Sequence, residues 1–207
     1  MRIRYILICA VVFGGLASAL AAAQKVERIG APVGLADAVQ QAVEDKGYRV
    51  TLDGGWTAEF WFAKQLKTET KDVPGALYPE LTNGEFAGVV TLAQAMTDYR
   101  GQNIAAGTYT LRYQMLPQDG NHLGVAPNPD FLLAIPAAND SQPEQNLPYK
   151  KVVGLSAKST GSNHPGVIAM ESAGESGSVR KEEREMVFSV EVGGKKLGIV
   201  VMGTAGQ

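Results

Sequence analysis

The sequence predicts a mainly β protein, an antiparallel β-sandwich with one or two short helices, that follows a cleaved signal peptide. Three observations support this fold class. Apolar and polar side chains alternate along several segments, turns rich in glycine and proline separate these segments, and helical patterns do not interleave with them. Because a parallel α/β sheet needs regularly interleaved helices, we expect antiparallel strands packed as a sandwich.

The N-terminal segment has the three parts of a secretory signal. Arg2 and Arg4 make its start basic, residues 5–20 are uncharged and mostly apolar, and small residues at 21–23 suit signal peptidase. We predict cleavage after Ala23, which leaves 24–207 as a single domain in the periplasm or the extracellular space. The alternative is a membrane anchor, but the apolar run falls short of the ~20 residues that span a bilayer.

The composition of the mature chain excludes several classes of protein. The only cysteine, Cys9, lies in the leader, so the exported domain must fold without disulfides and is typical of bacteria rather than of eukaryotic secretion. The chain has 19 Lys and Arg against 21 Asp and Glu and loses Arg2 and Arg4 with the leader, which leaves a net charge near −4. We therefore expect no nucleic-acid partner, and no later apolar run predicts a membrane span.

Period-two alternation predicts the strands, since successive strand side chains point to opposite faces. The pattern covers residues 48–52, 108–115 and 186–192, and shorter or more apolar runs predict strands at 56–62, 86–92, 131–135, 166–170 and 197–202. Gly193-Gly194 predicts a tight hairpin between the last two runs.

Two segments have a helical pattern, and the others are predicted loops. Apolar residues recur every four positions in 34–45, and a second helical pattern covers 148–158, with Pro148 near its start. The polar stretches 68–79 and 136–147 predict long loops. The mixed charges of 180–185 are typical of a solvated face or a mobile loop.

The two histidines of the mature chain are candidate metal ligands. His122 lies in the turn that follows the 108–115 strand, and His164 lies just before the strand that begins at 166. If these strand ends meet at one edge, the imidazoles and Asp119 or Asp130 would form a set of two histidines and one carboxylate that suits a transition metal. The alternative is that these residues only shape and support their turns. We expect no other cofactor.

Glu59 and Trp61 are the candidate ligand-binding residues. They share one face of the 56–62 strand, so Trp61 would point outward beside a carboxylate and form a stacking platform for a sugar or another flat ligand. The alternative is that the 34–45 helix covers Trp61. Paired carboxylates could also cleave glycosides across a cleft, and the candidates are Glu59, Glu80, Glu85 and Glu171.

Two stretches resemble bacterial exported proteins. The run from Asp98 through Ala106-Gly107-Thr108-Tyr109 to Leu111 is similar to a hairpin of the DUF2911 family, which comprises secreted proteins of unknown function. The continuation through Asp119-Gly120-Asn121-His122 to Leu133 resembles uncharacterised exported proteins of the acidobacterial kind. Both resemblances imply a secreted β-sandwich and no particular activity.

These observations rank three functions. The first is a non-enzymatic binding module for a small molecule, a glycan or an envelope protein. The second is a metal-binding protein or metal-dependent enzyme that uses His122 and His164. The third is a hydrolase of envelope or extracellular polymers. No complete catalytic motif is present, which favours the first.

Overall fold

The computed structural model describes residues 24–69, 73–117 and 128–203. Within these residues the chain forms two α-helices, α1 (Asp37–Ala42) and α2 (Tyr149–Thr160), and twelve strands. The strands are β1 (Lys25–Ile29), β2 (Gly47–Thr51), β3 (Thr57–Phe62), β4 (Phe86–Leu92), β5 (Met96–Thr97), β6 (Asn103–Ile104), β7 (Gly107–Met115), β8 (Asp130–Pro136), β9 (Gly166–Glu171), β10 (Ser178–Glu182), β11 (Glu185–Val192) and β12 (Lys195–Met202).

Ten of these strands form one antiparallel sheet. Their order across the sheet is β1-β2-β3-β4-β7-β8-β9-β12-β11-β10, and β5 and β6 form a separate small hairpin. The two edge strands, β1 and β10, contact each other, so the sheet curls until it is nearly a barrel. The bend lies at β9, whose residues 166–169 pair with β8 while Met170 and Glu171 pair with β12.

The mainly β, antiparallel fold with two short helices confirms the coarse prediction, whereas the two-sheet sandwich is not confirmed. Each of the ten strands is hydrogen-bonded to its neighbours in a single series. Alternation reveals which side chains face the interior, but an open sandwich and a curled sheet both bury alternate residues. The sequence pattern therefore could not distinguish the two architectures.

The interior of the curled sheet is the main core. Alternate residues of β7 enter it, from Tyr109 through Leu111 and Tyr113. Phe188 lies at its centre, with its ring centroid 5.5 Å from those of both Tyr48 and Phe60. Truncating one such buried phenylalanine to alanine costs about 3–5 kcal/mol, so this cluster stabilises the fold strongly.

The two helices cover part of the outer face of the sheet. Val39 of α1 packs over Trp61 and Val89, and Val152 of α2 packs over Leu133 and Ile135. The strands beneath the helices are therefore buried on both faces. This explains why β4 and β8 have apolar runs instead of clean alternation. Helix α2 ends where Gly161 adopts a left-handed conformation, with φ of 64°.

The polar segment 136–147 forms a short 3₁₀ turn at Ala137–Asn139 and is otherwise the predicted loop, and a buried arginine fixes it. Arg112 lies on the outer face of β7 with its side chain fully buried. Its guanidinium binds the Asp140 carboxylate and donates to the carbonyl oxygens of Gln142 and Gln145. The loop is thereby held close to α1, and a cleft remains between them.

Four strands lie where the sequence showed no strand pattern, namely the short hairpin strands β5 and β6 and the edge strands β1 and β10. β1 is a short, half-exposed edge strand, and β10 includes part of the charged run that we expected to be a solvated face or a mobile loop. Charged residues on an edge strand prevent it from pairing with other chains, so the charges suit a strand in this position. In the described part of the chain, no helix combines the length and apolar character needed to cross a membrane.

Candidate functional site

A row of polar side chains crosses the outer face of the sheet. Arg49 of β2 pairs in register with Glu59 of β3, Glu59 pairs with Thr91 of β4, and Thr91 pairs with Thr108 of β7. Residues in register on adjacent strands lie about 5 Å apart, so the four side chains form a continuous line. A guanidinium, a carboxylate and two hydroxyls thus share one surface.

The groups of this row contact one another but stay accessible. Arg49 donates from Nε and Nη2 to Oε1 of Glu59 at 2.9 and 2.7 Å, and the hydroxyls of Thr91 and Thr108 lie 3.0 Å apart. Exposed ion pairs of this kind contribute only about 0–1 kcal/mol to stability. Arg49 and Glu59 can therefore replace the hydrogen bonds between them with hydrogen bonds to a ligand at little energetic cost.

Trp61 lies beside this row but is not an exposed stacking platform. Its side chain is buried beneath α1, only 6% exposed, and its Nε1–H donates to the carbonyl oxygen of Gly30 at 2.8 Å. The helix covers the ring because Val39 and Val43 present their apolar side chains to it. The helix therefore covers Trp61, as in the alternative considered from the sequence.

A cavity of about 400 Å³ joins the polar row to the edge of Trp61. The segment after β1, from Gly30 to Leu35, encloses it on one side, and the sheet forms the other wall. Its apolar wall includes Ile29, Val89 and Val33, whose side chain is 89% exposed. The two predicted ligand-binding residues, Glu59 and Trp61, thus line the same cavity. We call it the Glu59 cavity.

The structure does not bring Asp130 and His164 together, although both are predicted metal ligands. Asp130 is fully buried, and its carboxylate accepts hydrogen bonds from the Leu77 and Tyr78 amides and the Tyr113 hydroxyl. His164 is exposed at the other end of β8, where Gly166 pairs with Ala134. Ala134 lies four positions along β8 from Asp130, which corresponds to a distance of about 13 Å in an extended strand.

Asp130 is thus a structural acceptor, and it lies at the opposite end of β8 from the strand end that His164 precedes. The other two candidates, Asp119 and His122, lie outside the described residues, so their part in a metal site stays a prediction. The described residues contain no group of three or more His, Cys, Asp or Glu side chains that could hold a metal ion.

The carboxylates considered for glycoside cleavage have separate partners or line separate cavities. Glu80 pairs with Lys195 at 2.9 Å, and Glu171 accepts a hydrogen bond from the Asn128 amide. Glu59 and Glu85 line different cavities. The hydrolase therefore gains no support from an assembled pair.

A second cavity, of about 510 Å³, lies between α1, the segment that follows β3 and the 136–147 loop. Glu85, whose side chain is 5% exposed, lines it beside Lys67. Oε1 of Glu85 accepts from the Lys67 amide at 3.0 Å, whereas Oε2 is buried with no hydrogen-bond partner among the described residues. Burial raises the pKa of Glu85, although Lys67 and Arg112 oppose the change. We call this second cavity the Glu85 cavity.

Comparison with known proteins gives no assignment: no family model, no curated protein and no solved structure matches this chain. The function must therefore be argued from the two cavities themselves.

Proposed function

We propose that this protein is an exported, non-enzymatic binding module that holds a small polyhydroxylated ligand, of the sugar class, in the Glu59 cavity. The observation that carries the proposal is the polar row of Arg49, Glu59, Thr91 and Thr108 along one wall of an open cavity beside Trp61. Its volume lies within the range of about 300–1,000 Å³ that is common for small-molecule sites.

The composition of the row suits hydroxyl groups. Each sugar hydroxyl both donates and accepts a hydrogen bond, and the row offers a carboxylate acceptor, guanidinium donors and two threonine hydroxyls that can do either. Apolar groups lie beside the row, with Val89 and the edge of Trp61 on the same face of the sheet and Ile29 at the end of β1. Polar edges and apolar C–H faces of a sugar ring would each find a complementary surface.

The charges in the cavity favour a neutral ligand. Arg49 and Glu59 are the two charged residues among those lining it, and they neutralise each other. An anionic or cationic ligand would have to break this pair, whereas a neutral polyol can hydrogen-bond to both groups. No described residue supplies a complete catalytic set beside them, so the proposal is binding and not turnover.

Calorimetric titration of the purified protein with a panel of neutral mono- and disaccharides tests this function. Glu59→Gln should weaken binding about tenfold or more, because an amide is a weaker acceptor than a carboxylate. Glu27→Gln is the matched control, since Glu27 pairs in register with Arg49 on its other side but does not line the cavity. Saturable binding that Glu59→Gln leaves unchanged would contradict the proposed site, and a blank panel would contradict the ligand class.

The location outside the cytoplasm is part of the same proposal and rests on the leader and on the resemblance to exported bacterial proteins. Expression of the full chain in a bacterium, followed by mass measurement of the secreted or periplasmic product, tests it. We expect a product that begins at Gln24. An intact chain retained in the cytoplasm or membrane would contradict export.

A further inference from the structure

The Glu85 cavity holds a long ion pair that no hydrogen bond closes. Lys67 Nζ and Glu85 Oε2 are 3.9 Å apart, beyond hydrogen-bond distance. Lys67 Nζ instead donates to the Glu144 carbonyl oxygen at 2.8 Å and to Asn146 Oδ1 at 3.1 Å. These two contacts fix the ammonium at the rim, while the Glu85 carboxylate lies deeper in the protein.

The free carboxylate oxygen is the unusual feature of this cavity. Buried polar atoms in folded proteins almost always have a partner, so Oε2 of Glu85 is an acceptor that a bound group can complete. The best donor for a buried carboxylate is a charged one such as an ammonium group. Glu85 is thus suited to bind the amine of a ligand.

The charged side chains around Glu85 determine which other charged group the ligand should have. The side chains lining the cavity include two lysines and two glutamates, namely Lys64, Lys67, Glu85 and Glu144. A ligand with only a positive charge would leave Lys67 repelling it, and one with only a negative charge would leave Glu85 unpaired. A ligand with both charges satisfies both residues, so the balance favours a zwitterion.

The rest of the lining, apart from Gln41 and Gln65, is apolar. It consists of small and aromatic side chains from α1, the segment after β3, the start of β4 and the 136–147 loop, namely Ala38, Ala42, Ala63, Phe86 and Pro143. Contact with these residues favours an apolar substituent on the ligand through the hydrophobic effect.

We propose that the Glu85 cavity is a second binding site, which takes a small zwitterion of the α-amino-acid class with an apolar side chain. The ligand's ammonium pairs with Glu85 and its carboxylate with Lys67, while its side chain lies against Phe86 and the alanines. This site goes beyond the proposed sugar site, because the two cavities share no lining residue.

The test is calorimetric titration of the purified protein, in phosphate buffer without amines, with L-leucine, L-valine, L-methionine and L-phenylalanine. We expect saturable binding of at least one of them. For the best binder, the analogue without the amine and the analogue without the carboxylate should each bind about tenfold or more weakly. The first leaves the buried Glu85 carboxylate unpaired, and the second loses the ion pair with Lys67 at the rim. If the analogue that keeps the amine but lacks the carboxylate binds as tightly as the amino acid, the zwitterion assignment is overturned.

Three variants locate the site. Glu85→Gln and Lys67→Met should each weaken binding by about tenfold or more. Lys151→Met is the matched control, since Lys151 is exposed on α2 and does not line the cavity, so it should leave the affinity unchanged. Unchanged binding in Glu85→Gln, or no binding of any of the four amino acids to the wild type, would overturn the proposal. The analogue series uses the wild-type protein, so the test stands even if a variant fails to fold.

The two site assignments can be tested independently. Glu59→Gln should leave amino-acid binding intact, and Glu85→Gln should leave sugar binding intact. Loss of one activity alone therefore identifies which of the two assignments is wrong.

Discussion

Arg112 and Asp140 form a bidentate ion pair inside the protein, with Nε and Nη2 each 2.7 Å from a different carboxylate oxygen. The guanidinium has five N–H donors, and its other hydrogen bonds go to the carbonyl oxygens of Gly84, Gln142 and Gln145. Because Gln142 and Gln145 flank Pro143 and Glu144, this pair fixes the loop that forms one wall of the Glu85 cavity.

Asp140→Ala should lower the free energy of unfolding by about 3–5 kcal/mol, because it leaves the Arg112 charge buried without its counter-ion. Urea denaturation followed by circular dichroism measures the change. Glu59→Gln is the control, since it breaks a solvent-exposed pair worth about 1 kcal/mol or less. Equal stability of Asp140→Ala and the wild type would show that the pair does not anchor the loop.

Trp61→Ala should also destabilise the protein strongly, by about 3–5 kcal/mol, because the ring fills the space between α1 and β4. The midpoint of thermal or urea unfolding measures this. Trp56→Ala provides the comparison, since Trp56 is only half-buried and should cost less. A Trp61→Ala protein of nearly wild-type stability would mean that the indole is an exposed ligand platform after all.

Glu85→Gln should change how stability depends on pH. Burial raises the pKa of Glu85 above that of the unfolded chain, so the folded state holds its proton more tightly. The contribution of Glu85 to the free energy of unfolding is therefore fully present below the pKa that Glu85 has in the unfolded chain. It is lost as the pH rises through the pKa that Glu85 has in the folded protein. Glutamine cannot ionise, so the stability difference between Glu85→Gln and the wild type should grow in favour of the variant from pH 4 to pH 8. Urea titrations at several pH values measure it, and a difference that does not vary with pH would contradict an unfavourable buried charge.

Asp130→Asn should weaken the fold without changing metal content. The carboxylate accepts from two amides and the Tyr113 hydroxyl, and an asparagine would turn an NH₂ group toward one of these donors. We expect a loss of about 1.5–3 kcal/mol, as for other hydrogen bonds to a charged group. Elemental analysis of untagged protein should give the same metal content for the variant and the wild type. Loss of bound metal in Asp130→Asn would show that Asp130 is a ligand.

The strongly alternating segments were predictable from the sequence because burial on one face is a local property. The strand at 108–115 corresponds to β7, and the Gly193-Gly194 hairpin forms with both φ angles positive, 55° and 80°. β1 and β10 were not predictable, since an edge strand that is half-exposed on both faces shows no alternation. Their existence depends on pairing with β2 and β11, which is a tertiary property.

The candidate sites depend on contacts between segments that are distant in the sequence. Glu59 was identifiable because it neighbours Trp61 on one strand. Its partners Thr91 and Thr108 join it only through the register of β4 and β7. Glu85 was named from the sequence only among the carboxylates considered for glycoside cleavage, and Lys67 was not identified. What distinguishes Glu85 is a buried oxygen without a partner among the described residues, and the burial of a single glutamate is set by the packing around it.

The most direct test of the proposed function uses the two tryptophans as internal probes. Trp61 lines the Glu59 cavity and donates its indole N–H to Gly30, whereas Trp56 lines a different cleft with Arg184 and Met202. In a ¹H–¹⁵N NMR spectrum, with the indole signals assigned through Trp56→Phe, saturating addition of the best-binding saccharide should shift the Trp61 signal and leave the Trp56 signal in place. A saccharide that binds while the Trp61 signal stays fixed would contradict the central claim, because the ligand would then occupy another part of the protein.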